Sequence, residues 1–263
     1  MQLVIHMTKK LSAQRRNEIA QRLFQNGNIH IADLAKEYQV STETIRKDLI
    51  YLEQQGIAQK SYGGAIISEG MLERPFSQKE TEHVEIKTKL AQAALPWIPK
   101  QGTIYIDSGS TNTILAKQLM MRDDLIIISN AINIVALLSH SQNQVFCIGG
   151  QLRNSSKAVI GFWATDAITQ LRIDVAFIGT NCFEGFHGPS CTNYEETQLK
   201  QLVVKQAQQT IIMADHTKFH HTSQFQICPW NDITALITNH HETENKKIMA
   251  EIKARTMLIY AED

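Results

Sequence analysis

Six short apolar runs are spaced along the last two thirds of this chain: Thr103–Ile106, Leu125–Ser129, Val145–Ile148, Val175–Ile178, Ile211–Met213 and Ala235–Thr238. Stretches with helical periodicity fall between several of them: Ile86–Leu95, Asn112–Met121, Asn133–Ser139, Thr165–Leu171, Glu195–Ala207 and Glu244–Ala254. Continuous apolar runs suit strands buried on both faces, and their alternation with helices suits a parallel sheet covered on both sides. The pattern therefore predicts an α/β fold. In such sheets ligands bind at the carboxyl ends of strands, near a reversal of strand order.

Small polar turns sit at those ends. "DSGST", Asp107-Ser108-Gly109-Ser110-Thr111, follows the first run, Ser129-Asn130 closes the second, and Gly149-Gly150 with Arg153 follows the third. "ADHTKF", carrying Asp215 and Lys218, follows Ile211–Met213. Glycine lets backbone approach an anion, and free N–H groups at a helix start point toward it. Ser108, Ser110 and Thr111 bring hydroxyl donors, while Arg153 or Lys218 can balance phosphate charge. One such turn is equally well a strand–helix connection; several at strand ends favour a site for a phosphorylated small molecule.

The first quarter has a different character. From Lys9 to Tyr62 there are nine Lys/Arg against six Asp/Glu, in a chain whose formal net charge is +0. The excess is small, but it suggests a polyanionic partner. Ile19, Leu23 and Phe24 recur at helical spacing until "QNGN" around Gly27 stops the run, and a short helix over 32–38 places Leu34 and Ala35 inward. In "VSTETIRKDLIYLEQQG", Ser41 is an N-cap with Glu43 in the first turn, and Ile45, Leu49 and Leu52 form an inward stripe. That leaves Thr42, Thr44, Arg46 and Lys47 outward near the helix start, where a helix-turn-helix presents side chains to bases and phosphates. Gly56 ends this helix, and "IAQKSYGGAI" reads as a two-stranded wing turning at Gly63-Gly64, with Lys60 and Tyr62 beside the turn. The alternative is a three-helix bundle with a merely solvated charged face.

The segment from Arg15 to Ile66 resembles the winged helix of DeoR/GlpR-type bacterial regulators, whose signature stands here as Thr44 to Glu53 with Gly63-Gly64. "DSGSTN", "SNAINIV", "GGQLR" and "ADHTKF" extend the resemblance to the sensor domain of that family, which shares its fold with ribose-5-phosphate isomerase. The resemblance implies an N-terminal winged helix-turn-helix over 1–67 and an α/β effector domain over 86–263; the polar stretch 68–85 between them, broken by Pro75, reads as a linker that becomes helical after Glu82. It implies operator DNA as one partner, contacted through Ser41, Thr42, Thr44, Arg46, Lys47, Lys60 and Tyr62. It also implies a phosphorylated sugar or polyol surrounded by Asp107 to Thr111, Asn130, Gly150, Arg153 and Lys218. Asn193 and Glu196 are expected at the far end of that pocket, where "GTNCFEGFHGPSCTNYEET" departs from the family pattern. A homodimer or homotetramer is expected, because one module contacts few base pairs.

Other classes find little support. No apolar run approaches the ~18 residues that span a bilayer. The opening "MQLVIHMTKK" reverses the order of a secretory signal and reads as a ragged start or initiation at Met7. Cys147, Cys182, Cys191 and Cys228 form no CxxC pair and are expected as packed, reduced thiols in a cytoplasm. Trp97, Trp163 and Trp230 are expected in cores. His220-His221 and His240-His241 lack a third ligand at zinc spacing. The rival to a regulator is a sugar-phosphate isomerase or deaminase with an appended DNA-binding domain. Among Asp107, Glu184, Glu195, Glu196 and Asp215, however, no pair has a spacing that marks an acid/base couple. No enzyme activity, metal or cofactor is expected.

Overall fold

The computed structural model describes residues 12–54, 57–67, 76–220, 222–240 and 246–261. Met7, Gly56, His221, His241 and the 68–75 part of the expected linker lie outside these residues, as do the side chains of Phe24 and His220. The chain divides into two compact units, Met1–Glu73 and Arg74–Asp263.

The first unit consists of helices α1 (Ser12–Asn26), α2 (Ile31–Glu37) and α3 (Thr42–Gln54), with strands β1 (Asn28–His30), β2 (Ala58–Ser61) and β3 (Gly64–Ile67). Ile19, Leu23, Leu34, Ala35, Ile45, Leu49 and Leu52 form its core, as the periodicity predicts. The chain leaves α2 through Gln39, held at a φ of 51°, and Ser41 then opens α3 by accepting from the Thr44 amide at 3.2 Å. The expected two-stranded wing has a third member. Asn28–His30, read only as a helix stop, pairs antiparallel with β3, giving the order β1-β3-β2. The turn lies at Tyr62-Gly63, one residue earlier than expected, where Gly63 takes a φ of 75°.

The second unit begins with α4 (Phe76–Lys79), a short helix inside the stretch read as linker, and α5 (Val84–Ala94), which starts where that stretch is expected to turn helical. Then follow β4 (Gly102–Ile106), α6 (Ser110–Gln118), β5 (Leu125–Ser129), α7 (Ile132–Leu138), β6 (Gln144–Cys147), β7 (Gln151–Arg153), β8 (Ala158–Ile160) and α8 (Phe162–Thr169). The remainder is β9 (Ile173–Ile178), β10 (Ser190–Cys191), α9 (Tyr194–Gln206), β11 (Ala207–Met213), β12 (Phe225–Gln226), β13 (Ala235–Thr238), α10 (Lys246–Arg255) and β14 (Met257–Tyr260). All six apolar runs become strands of one seven-stranded parallel sheet, ordered β14-β13-β11-β9-β4-β5-β6. The seventh strand, β14, is an addition to the six runs, a "MLIY" segment that follows α10 directly. One face of the sheet packs α5, α6 and α7 around Ile104, Ile106, Ile127 and Phe177. The other packs α8 and α9 around Tyr105, Ile128 and Ala176, with α10 over Ile212 and Leu236.

Three expectations about burial are corrected. The run Val145–Ile148 was read as a buried strand, yet β6 is the sheet edge, and Phe146 is half exposed. Cys147 on the same strand is exposed rather than packed, whereas Cys182, Cys191 and Cys228 are buried. Trp163 is 74% exposed at the first turn of α8, while Trp230 is fully buried and Trp97 packs against the core. An apolar side chain reports the possibility of burial, and the outer strand and helix simply lack a neighbouring layer.

Candidate functional site

The DNA-facing candidates lie on α3 and the wing. Thr42, Arg46 and Lys47 are exposed along α3, and Tyr62 projects wholly into solvent at the wing tip. Arg46 reaches Glu43 at 3.4 Å and Lys60 reaches Glu53 at 3.2 Å, both exposed pairs that screening makes weak and exchangeable for phosphate. Ser41 caps α3 as its position predicts, and Thr44 joins it. Their hydroxyls lie 2.9 Å apart, with Ser41 capping the helix, so their first role is to shape its N-terminus. Beneath this surface the signature Asp48 is buried and accepts from Arg15 Nε at 2.6 Å and Arg16 Nε at 2.8 Å. Sequence reading named the motif that contains Asp48 but missed this role. The pair ties α1 to α3 and fixes the angle at which α3 is presented.

In the second unit the strand order reverses at β4, which has β5 on one side and β9 on the other. Asp107 leaves β4 at that point and Gly179 leaves β9. The Asp107 carboxylate accepts from the Gly179 amide at 2.9 Å and is paired with the Lys200 amine of α9. Burial alone would lower the Lys200 amine, but Asp107, and after it Cys191 and Glu196, more than offset this and hold it above its ordinary value. Four residues earlier on α9, buried Glu196 accepts from Arg153 at 3.1 Å and from the Ser156 hydroxyl of the β7–β8 turn. Glu196 and Lys200 thus share the inner face of one helix and tie the β4 turn to the β7–β8 hairpin. Asn193 caps that helix, its side-chain oxygen accepting from the Glu196 amide at 2.9 Å.

The other expected residues surround this network. Ser108 and Ser110 are buried, Thr111 is half-buried, and Gly109 takes a φ of 138° that favours glycine just before α6 begins. Asn130 is buried and donates to the Val159 carbonyl at 3.3 Å. Gly150 takes a φ of 148°, and a Cβ there would lie 2.5 Å from the Ile160 carbonyl oxygen, so no larger residue fits without backbone movement. Lys218 belongs to a neighbouring group at the end of β11 together with Asp215 and Lys87. Asp215 Oδ1 accepts from the Thr217 amide at 2.9 Å, which makes it the loop anchor that its position suggested. Burial would raise the Asp215 carboxyl, but Lys218, Thr217 and Lys87 together bring it below its ordinary value. The Lys87 amine is lowered, chiefly by burial, and donates to the Lys79 and Glu82 carbonyls.

Lys87 and Lys200 were missed because each is one of two lysines in its helix, indistinguishable in sequence from a solvated one. Their signal was only a position on the apolar side of the helix. Arg153 and Lys200 each carry a carboxylate partner, so neither is the unbalanced cation expected for phosphate. The Asp215–Lys218–Lys87 group holds two cations against one anion. Among the described residues no group of three His, Cys, Asp or Glu side chains could hold a metal, and no helix is long and apolar enough to cross a membrane.

The comparisons with known proteins match both units. The DeoR-like helix-turn-helix domain covers residues 15–70, and the DeoR C terminal sensor domain covers residues 82–240. The chain belongs to the DeoR family of transcriptional regulators. A protein of Escherichia coli O157:H7 named for transcriptional repression of the aga operon is 32% identical over 87% of this chain and 86% of its own. The HTH-type transcriptional repressor CsqR of Escherichia coli K12 is 27% identical over 89% and 90% of the two chains. The glycerol-3-phosphate regulon repressor of the same strain is 26% identical over 86% and 90%. A D-ribose-5-phosphate isomerase structure covers 52% of this chain and 54% of its own at 17% identity with a TM-score of 0.39, too distant to carry an argument. As a member of this family the chain is a DNA-binding regulator with a sensor domain, and not an enzyme.

Proposed function

We propose that this regulator represses a carbohydrate uptake or catabolic operon in the cytoplasm and is released from its operator by a phosphorylated sugar or polyol. The observation that carries the effector half is a set of orphaned acceptors. Asp107 Oδ1 and Asn130 Oδ1, at the ends of adjacent strands β4 and β5, are buried without a hydrogen-bond partner. A buried acceptor left unpaired costs about 1–3 kcal/mol, which a ligand hydroxyl would recover. With Asp107 balanced by Lys200 and Glu196 by Arg153, these acceptors suit the hydroxyls of a polyol. The phosphate would take the start of α6, at Gly109 to Thr111, with Lys218 as its cation.

On the DNA side, Thr42, Thr44, Arg46 and Lys47 would meet the major groove, and Lys60 and Tyr62 of the wing the backbone. A homodimer or homotetramer would engage repeated half-sites. The effector can shift operator binding only as far as it prefers one state of the protein over the other.

Fluorescence anisotropy with labelled DNA from the gene's own upstream region, with and without a panel of sugar and polyol phosphates, tests the reading. Tight, salt-dependent binding released by one compound is expected. Lys218→Ala should keep the binding and lose the release. Specific binding that no compound alters would remove the effector half, and no specific binding at all would remove the operator half.

A further inference from the structure

We propose that two copies of this chain associate through the β6 edge of the sensor sheet, burying Phe146 and Trp163 between them. A parallel sheet is ordinarily covered on both faces. Here the face bearing Tyr105 and Ile128 is covered by α10, α9 and α8 in turn, and the cover ends before β6. Phe146 is in register with Ile128 on that face and is 49% exposed; Ile126, two residues before Ile128, is 37% exposed. The start of α8 lies by the loop that follows β6, because a Cβ on Gly150 would come within 3.5 Å of Ala164. There Phe162 and Trp163 are 77% and 74% exposed. The outer edge of β6 meets no other strand among the described residues.

Two features select a second copy as the occupant. Phe146, Ile126, Phe162 and Trp163 give each copy an exposed apolar strip, and a twofold axis sets one such strip against its identical counterpart. Identical sheet edges also pair with each other antiparallel about such an axis, which satisfies the open edge and brings the two apolar strips side by side. The reading as a DNA-binding regulator adds only the need for two modules, and the test does not depend on it.

Sedimentation velocity of the full chain without DNA decides the matter. At about 10 μM the wild type should sediment as a dimer or larger assembly, and Phe146→Glu and Trp163→Glu should each at least halve its mass. Both sites are exposed, so far-ultraviolet circular dichroism should be unchanged. A monomeric wild type, or an assembly that both variants leave intact, overturns the proposal.

A different set of contacts carries a second inference: we infer that α4 and the turn after it relay the state of the sensor site toward the linker. This rests on the effector site proposed above. The chain enters the described part of the sensor at Phe76, whose side chain is buried and whose amide donates to the Ser155 carbonyl at 2.7 Å. Ser155 adjoins Ser156 in the turn held by Arg153 and Glu196. At its other end the segment is gripped by Lys87, which holds the Lys79 and Glu82 carbonyls while facing Asp215 and Lys218. His83 stacks edge-on against His216 with centroids 5.9 Å apart. Both groups of the site therefore act on the same stretch.

Amide hydrogen exchange of the full chain, wild type against Arg153→Met, tests this without an effector. Exchange over 76–82 should accelerate by at least about fivefold while β4 and β9 stay protected. Unchanged exchange over 76–82, or acceleration spread evenly over the sensor, overturns the relay.

Discussion

Asp48 in the first unit and Asp107 in the second are both buried against cations contributed from elsewhere in the chain, and the two differ in what is left over. Asp48 uses both carboxylate oxygens, one on Arg15 and one on Arg16. Asp107 uses Oδ2 for Gly179 and Lys200 and leaves Oδ1 without a partner. A carboxylate satisfied at both oxygens is architecture: it locks helices and has nothing to offer a ligand. A carboxylate satisfied on one side is positioned for something else, and its place at the strand-order reversal fits a ligand site.

The comparison breaks most readily at Asp48. Asp48→Ala leaves two arginines without their buried partner and should cost the first unit about 3–5 kcal/mol. Urea unfolding would show that unit's transition shifted or absent while the sensor's stays in place. Lys200→Met should cost the sensor about 3 kcal/mol by stranding Asp107, and Lys200→Met with Asp107→Asn should recover much of it. If the single variant unfolds no more easily than wild type, Asp107 is not held by Lys200.

The same pair sharpens the contrast through pH. The folded Lys200 amine lies above its ordinary 10.5, so its contribution is complete below that value and is lost as pH rises through the folded one. Thermal unfolding above about pH 10.5 should therefore fall more steeply in wild type than in the Lys200→Met, Asp107→Asn variant. The smallest effects belong at the surface. Arg46→Ala should weaken operator binding about tenfold and leave both unfolding transitions unmoved, with unchanged affinity refuting its role. Lys47→Gln should weaken binding alike on all sequences and lower the salt dependence by about one ion.

Much of this was legible in sequence. The winged helix was readable because its signals are local: a cap at Ser41, an inward stripe at Ile45, Leu49 and Leu52, a turn at Gly63. The polar turns at Asp107, Asn130 and Gly150 were readable because strand ends and glycine positions are set by neighbours. Local pattern was silent on which polar atoms remain unpaired, since that depends on partners far along the chain. Thus nothing local marked Asn193 as the cap of α9, and Cys147 and Trp163 were expected inside.

By itself the sequence determined two units, the α/β pattern, the winged helix-turn-helix and the family to which the chain belongs. Only the tertiary structure decided that β9 lies beside β4, bringing Lys200 to Asp107 across 93 positions, and that β6 forms an open edge. Periodicity records which face of an element is apolar. The order in which strands assemble decides which charges meet and which apolar faces stay uncovered.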